Sequence, residues 1–93
     1  MKRLPNAWVL KMSFRVSFSS DAAEELKALS KSMQLQVLKK IAHLKENPEI
    51  GKQLTNLLKN KKSLHVGKYR VVYFVQKEDV VIARIAHRSH VYE

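Results

Sequence analysis

The sequence contains no cysteine, only two glycines and two prolines, and a single tryptophan. Without cysteine the chain can form neither a disulfide framework nor a thiolate zinc site, and a reducing compartment is its expected environment. The scarcity of glycine and proline, together with 45% hydrophobic residues, is typical of a globular chain and not of a disordered one. The 93 residues suffice for one compact domain with one hydrophobic core.

The sequence also lacks any apolar run of about 20 residues, the length that a helix needs to cross a bilayer, and its start lacks the apolar segment of a secretion signal. We therefore expect a soluble, cytoplasmic protein that does not associate with a membrane. The four histidines do not show the spacing of metal ligands, so the sequence predicts neither a metal site nor a cofactor.

Charge of one sign is scarce as well, because only eight Asp and Glu oppose 18 Lys and Arg, which gives a formal net charge of +10. Solubility requires a net charge of only about 2 to 8 in a small domain. The excess predicts a polyanionic partner such as nucleic acid, although charge alone does not choose between RNA, DNA and an acidic protein.

The hydrophobic period changes along the chain from two to about 3.6 and back to two. Strict alternation predicts a strand over residues 13–18, and the serines at positions 19 and 20 offer a helix N-cap. Two apolar stripes then predict two short helices that form a hairpin, with a break near Lys31-Ser32 and an end at Asn47-Pro48.

Three more strands are predicted in the second half of the chain, at residues 63–66, 69–76 and 79–87. Gly67-Lys68 and Lys77-Glu78 supply the turns between them. The order β-α-α-β-β-β predicts an α+β fold, in which a small antiparallel sheet carries the N-terminal helix hairpin on one face and leaves the other face partly open.

The period of two also decides which strand side chains share a face of the sheet. In the last strand, Arg84 is placed opposite the row formed by Val81, Ala83 and Ile85 and is predicted to face away from the helices. The same orientation is predicted for Arg15, Ser63 and His65.

Arg70 lies in a strand that is apolar on both faces and is therefore predicted to be central. Either Arg70 joins the basic residues of the open face, with Phe74 as a base-stacking ring, or it is buried and needs a partner. Around this face a basic rim is predicted, and the complete set of RNA-binding candidates is Arg15, Lys59, Lys61, Lys62, Lys68 and Arg84.

Two motifs with their spacing resemble the RelE-type toxins. Gly67-Lys68-Tyr69-Arg70-Val71-Val72-Tyr73 is similar to the family pattern G-x-Y-R-V-x-Y, and Ile85-Ala86-His87-Arg88-Ser89-His90-Val91-Tyr92 is similar to I-x-H-R-x-x-V-Y. The resemblance covers residues 12–93, so residues 1–11 form an N-terminal extension outside the toxin domain.

The resemblance implies a toxin of a toxin–antitoxin pair, with a cognate antitoxin as its protein partner. RelE-like members are ribosome-dependent endoribonucleases that cut mRNA, and this is the predicted activity. ParE-like members share the fold and inhibit DNA gyrase, which is the alternative, and a nucleic-acid-binding module that never cleaves is a third.

The resemblance also implies roles for individual residues. Arg70 matches the arginine that binds the scissile phosphate, Arg88 a second phosphate-binding position, and Tyr92 the C-terminal catalytic tyrosine. The family carries two lysines or arginines on the strand that precedes the glycine of the first motif. At these two positions this chain has Ser63 and His65. The candidates for general acid or base are His65, His87 and His90, since histidine titrates near neutral pH. Attack of the RNA 2′-hydroxyl on the neighbouring phosphate requires no metal ion.

Overall fold

The computed structural model describes residues 14–54 and 60–89. Its helices are α1 (Ser20–Ala28) and α2 (Lys31–Leu44), followed by a 3₁₀ turn at Pro48–Ile50. Its strands are β1 (Arg15–Phe18), β2 (Lys52–Gln53), β3 (Lys62–Val66), β4 (Tyr69–Gln76) and β5 (Asp79–His87). In these residues no helix is long and apolar enough to span a bilayer.

Serine hydroxyls define where the two helices begin. Ser19 Oγ accepts the backbone N–H of Ala22, and Ser30 Oγ accepts that of Met33. The helix break therefore falls at residues 29–30, slightly before the predicted Lys31-Ser32, because Ser30 is the side chain that caps α2. Helix α2 ends at Leu44, ahead of the proline that was predicted to stop it.

The five strands form one sheet in the order β1-β5-β4-β3-β2, and this confirms the α+β prediction. Strands β3 to β5 are antiparallel, as predicted. The short β2, which was not predicted, pairs antiparallel with β3, whereas β1 runs parallel to β5. The helix hairpin, and not a tight turn, connects β1 to the rest of the sheet, so no local turn determines the direction of β1. Strand β4 occupies the predicted central position.

The core lies between one face of this sheet and the two helices. Helix α2 contributes Val37, Ile41 and Leu44, all of which are buried. The sheet contributes its own buried row, which consists of Leu64, Val66, Val71, Tyr73, Val80, Ile82 and Ile85.

A β-bulge in β5 breaks up the predicted row of Val81, Ala83 and Ile85. Val72 pairs with Arg84 while the next residue, Tyr73, pairs with Ile82, so Ala83 is an extra residue. The bulge interrupts the alternation on which the prediction relied. Arg84 pairs with Val72 and Val81 with Phe74, so both lie on the face of Arg70, and Arg84 keeps its predicted face. Its guanidinium nevertheless contacts α1, because Arg84 Nε donates to Glu25 Oε2 at 2.7 Å.

A buried tyrosine holds the connection that precedes β2. The fully buried Tyr73 hydroxyl donates to the carbonyl oxygen of Pro48 at 2.7 Å and accepts the N–H of Gly51 at 2.9 Å. A Cβ atom at Gly51 would come within 2.7 Å of the Tyr73 ring, so glycine is required there. Burial raises the pKa of Tyr73, because the phenolate would lose its hydration.

Candidate nucleic-acid interface

The face of the sheet opposite the helices brings together His65 and Arg70. The two residues lie directly across from one another on β3 and β4. Side chains in such a pair have Cβ atoms about 4.5–5.5 Å apart. His65 is exposed and Arg70 is half-buried, and Arg70 Nη1 donates a long hydrogen bond of 3.5 Å to the buried Ser63 Oγ. Of the two predicted environments for Arg70, the structure has the one in which it joins His65.

An aromatic ring lies further along the same face. Phe74 is half-buried, pairs with Val81 of β5, and has the ammonium group of Lys61 at 5.2 Å from its ring centroid. The contact between Lys61 and Phe74 was not foreseen from the sequence. Counting outward from the Gly67-Lys68 turn places Lys61 opposite Phe74, so this contact could have been predicted from the sequence.

The Gly67-Lys68 turn brings two more cations to the same end of the sheet. Gly67 has φ of 60°, the left-handed backbone that a two-residue hairpin turn requires at this position. The N–H of Arg88 donates to the carbonyl oxygen of Lys68 at 2.9 Å, so the residue after β5 is anchored at this turn. Lys68 and Arg88 are both exposed and lie at the end of the sheet that carries Arg70.

His87 is separated from this group. It pairs with Tyr69, whose ring it meets edge-on at 5.8 Å, and its Nδ1 lies 2.9 Å from Ser89 Oγ. The alternation of β4 places Tyr69 and His87 on the face that the helices cover, whereas His65 and Arg70 lie on the other. Among the described residues, His65 is therefore the histidine adjacent to Arg70.

Other predicted RNA-binding residues are engaged in ion pairs. Exposed Arg15 donates to Asp79 at 2.9 Å, and this hydrogen bond and the charge of Asp79 raise the pKa of Arg15. Lys62 lies on the helix side of β3, where its ammonium group is 3.5 Å from Glu49. These contacts leave Lys61, Lys68, Arg70 and Arg88 as the cations for a ligand on the open face.

The remaining candidates, namely Lys59, His90 and Tyr92, lie outside the described residues, as does the predicted extension at residues 1–11. The spacing of the two motifs predicts that Arg70 and Tyr92 lie close together at one end of the sheet, and this stays a prediction. Within the described part of the site there are a guanidinium group, an exposed imidazole and an aromatic ring on one face. This combination suits phosphate binding, proton transfer and base stacking.

Comparison with known proteins identifies a family to which this chain is similar. The family model for the ParE toxin of type II toxin–antitoxin systems matches residues 16–92. A putative RelE-like toxin protein of Escherichia coli is 34% identical over 87 residues, which are 87% of this chain and 92% of the relative.

Solved structures agree with the family match. The toxin–antitoxin complex RelBE2 of Mycobacterium tuberculosis contains a chain with a TM-score of 0.75 and 29% identity, over 84% of this chain and 94% of that one. The isolated RelE toxin of E. coli has a TM-score of 0.72 and 24% identity, over 86% and 92% of the two chains, and this likeness shows the fold alone. The chain therefore belongs to the ParE toxin family of type II toxin–antitoxin systems, within the RelE/ParE superfamily, as its two sequence motifs predicted.

Proposed function

We propose that this toxin inhibits translation by cleaving mRNA on the ribosome through attack of the RNA 2′-hydroxyl on the adjacent phosphate. The observation that carries the proposal is the pairing of His65 with Arg70 across two neighbouring strands. It places a group that can move a proton beside a cation that can bind a phosphate, on the face that the helices leave open.

In the proposed reaction a bond forms between the 2′-oxygen and phosphorus, and the bond between phosphorus and the 5′-oxygen breaks. Arg70 and Arg88 stabilise the negative charge that develops on the phosphorane oxygens. His65 removes the 2′-hydroxyl proton or delivers a proton to the leaving 5′-oxygen, and His90 takes the other part, because His87 lies on the face that the helices cover. Tyr92 orients the RNA or transfers a proton.

The neighbouring residues provide a surface for the RNA. The Phe74 ring stacks on a base, Lys61 and Lys68 contact backbone phosphates, and stacking of this kind tolerates different bases. Selection of the cleavage site then depends on the ribosome that presents the mRNA. The activity is accordingly cytoplasmic.

We also propose a cognate antitoxin that covers part of α2. Leu35 and Leu38 lie on the outer side of this helix with exposed fractions of 68% and 42%. Large apolar side chains next to one another on a helix favour a partner with a complementary apolar segment. The similar chain from M. tuberculosis was solved in a toxin–antitoxin complex.

Inhibition of DNA gyrase is the second candidate, because the family model that matches residues 16–92 is that of ParE toxins. Two assays on the same purified protein separate the candidates. We expect the protein to stop synthesis in a reconstituted translation system, with new mRNA 3′ ends that appear only when ribosomes are present, and to leave gyrase supercoiling unchanged.

Inhibition of supercoiling with intact mRNA would assign the chain to the gyrase-directed class. Binding of RNA without new 3′ ends and without an effect on gyrase would reduce the function to a non-catalytic nucleic-acid-binding module.

A further inference from the structure

The β-bulge in β5 changes which side chains of this strand reach the open face. Before the bulge the odd-numbered Val81 lies on the face of Arg70, and after it the even-numbered Arg84 does. The N–H of Arg88 donates to the carbonyl oxygen of Lys68, so the pairing of the two strands continues past the end of β5. The alternation therefore extends to Arg88, which reaches the open face because the bulge adds one residue to β5.

Helix α1 contacts the bulge from the side on which β5 has no neighbouring strand. Ser19 Oγ donates to the carbonyl oxygen of Ala83 at 2.8 Å. Glu25 contacts the next two residues, since its Oε2 accepts Arg84 Nε at 2.7 Å and its Oε1 accepts the backbone N–H of Ile85 at 2.6 Å. A single carboxylate thus binds a side chain and a backbone group of consecutive residues in β5.

The ion pair between Glu25 and Arg84 is better suited to fixing the register of β5 than to stabilising the fold. The two side chains are 24% and 32% exposed, and apolar residues at such positions would hold the helix on the sheet equally well. Apolar contacts have no direction, whereas the carboxylate requires two donors at defined places. A slip of β5 by one residue would break both hydrogen bonds and reverse every later side chain.

We propose that Glu25 is a positioning residue for RNA binding, which keeps Arg88 on the face of Arg70 by holding the bulge. The inference rests on the phosphate-binding role proposed above for Arg88. Glu25 acts through β5 and not by contact with the RNA, which a carboxylate would repel. Lys61 lies beside β3, two strands away from β5, so its contribution to binding should not depend on Glu25.

A double-mutant cycle in the full-length protein tests this role. The ligand is a fluorescent single-stranded RNA of about ten nucleotides, in which 2′-O-methyl groups prevent cleavage. Arg88→Ala should weaken binding about tenfold in the wild type but less than about twofold in Glu25→Gln, because glutamine can accept only one of the two hydrogen bonds. Lys61→Ala should weaken binding by the same factor in both proteins.

Glu24→Gln is the matched control for the loss of charge. Glu24 precedes Glu25 on α1, is exposed, and pairs with Lys27 of the same helix. Removal of a negative charge should by itself favour RNA binding, so Glu24→Gln should bind at least as tightly as the wild type and keep the full effect of Arg88→Ala. Glu25→Gln should instead bind about tenfold more weakly, as Arg88→Ala does.

A second variant covers the case in which Glu25→Gln does not fold. Glu25→Leu combined with Arg84→Met replaces the ion pair by apolar side chains of similar size, and it should show the same loss of the Arg88 contribution. An effect of Arg88→Ala that is equal with and without Glu25 would overturn the inference and leave the proposed function untouched.

Failure of the proposed function gives a different result. If the wild type does not bind the RNA, or binds it equally well after Arg88→Ala, the inference is wrong and Arg88 is also removed from the proposed reaction. The assay measures binding and not cleavage, so a toxin that binds RNA without cutting it would still confirm the role of Glu25.

Discussion

At the scale of single residues, Arg70 is held in place mainly by its strand. It lies in the central strand β4, opposite His65, and its one hydrogen bond to a side chain in the described residues is the 3.5 Å contact with Ser63. Such a long contact contributes little to folding. The guanidinium of Arg70 therefore lies on the open face, and it can be removed without loss of the core.

Arg70→Ala should abolish most of the cleavage and leave the fold intact. Loss of one preorganised contact to the phosphorane should lower the rate on ribosomes by about 10² to 10³, or about 3–4 kcal/mol in the transition state. Single-turnover cleavage and circular dichroism measure the two effects. Lys31→Ala, at an exposed site on α2, is the control that should cleave normally. A folded Arg70→Ala protein that also cleaves normally would refute the assignment.

His65→Gln tests the proton-transfer role. Glutamine keeps the hydrogen-bonding capacity but does not titrate, so the cleavage rate should fall by about 10² to 10⁴. The pH dependence of the wild-type rate, with an inflection expected between about pH 6 and 7, should disappear at the same time. If His65→Gln keeps both rate and pH profile while His87→Gln or His90→Gln loses them, the role belongs to the C-terminal segment.

Tyr73→Phe should destabilise the protein, because the carbonyl of Pro48 and the N–H of Gly51 both lose their partner. We expect a loss of about 1–3 kcal/mol in the free energy of unfolding at pH 7, from urea titrations. Tyr69→Phe is the control, since the hydroxyl of this half-buried residue has no hydrogen bond within the described residues, and it should cost less than about 0.5 kcal/mol.

The raised pKa of Tyr73 adds a pH dependence to this comparison. Above the ordinary value of 10.0 the unfolded chain releases the phenol proton before the folded chain does, so the contribution is complete below pH 10.0 and is lost as the pH rises through the folded pKa. The wild-type protein should therefore lose more stability than Tyr73→Phe above pH 10.0. A stability difference that grows above this pH would contradict the assignment.

At the scale of the elements, β5 connects the helices to the sheet. Beyond Ile82, where its pairing with β1 ends, β5 contacts α1 instead. Ser19 Oγ donates to the carbonyl of Ala83 at 2.8 Å, and Glu25 Oε1 accepts the N–H of Ile85. The N-cap serine and Glu25 of α1 therefore form hydrogen bonds with backbone groups of β5 that have no neighbouring strand.

This arrangement predicts unequal effects for the two N-cap serines. Ser19→Ala removes both the cap of α1 and the hydrogen bond to Ala83, and should cost about 1–2 kcal/mol. Ser30→Ala removes only the exposed cap of α2, and should cost about 0.5–1 kcal/mol. Chemical denaturation of the two variants measures the order, and a larger loss for Ser30→Ala would contradict it.

At the scale of the whole molecule, the net charge of +10 is unevenly compensated. Four ion pairs in the described residues use Glu24, Glu25, Glu49 and Asp79. None of these four pairs uses the cations on and beside the open face, namely Lys61, Lys68, Arg70 and Arg88. Long-range attraction should therefore bring a polyanion to the open face.

Binding of single-stranded RNA should accordingly weaken as salt increases, and the logarithm of the association constant should fall by about 0.7 per logarithm of salt for each phosphate contacted. Lys61→Ala should reduce this slope by about 0.7 to 1, whereas Lys31→Ala should leave it unchanged. Fluorescence anisotropy at several salt concentrations measures both. A slope that is the same in wild type and Lys61→Ala would exclude Lys61 from the interface.

The sequence by itself determined the order of the elements, the two hairpin turns and the family. These depend on local chemistry: alternation over residues 69–76, a glycine with positive φ at position 67, and serines that cap helices. The alternation left the face of Arg70 open, and the structure places it opposite His65, as counting outward from the Gly67-Lys68 turn would have done. Pairs of residues that can be found by counting outward from a hairpin turn were therefore predictable.

Only the tertiary structure decided the parallel pairing of β1 with β5, the β-bulge at Ala83 and the contact of Arg84 with Glu25. Each depends on residues that are distant in sequence, and Glu25 and Arg84 are 59 positions apart. One extra residue in β5 reverses every later side chain, because a strand alternates with a period of two. The hydrophobic periodicity does not show where such a residue is inserted. The β-bulge is stabilised by the packing of α1 against the sheet, which is not visible in a local pattern.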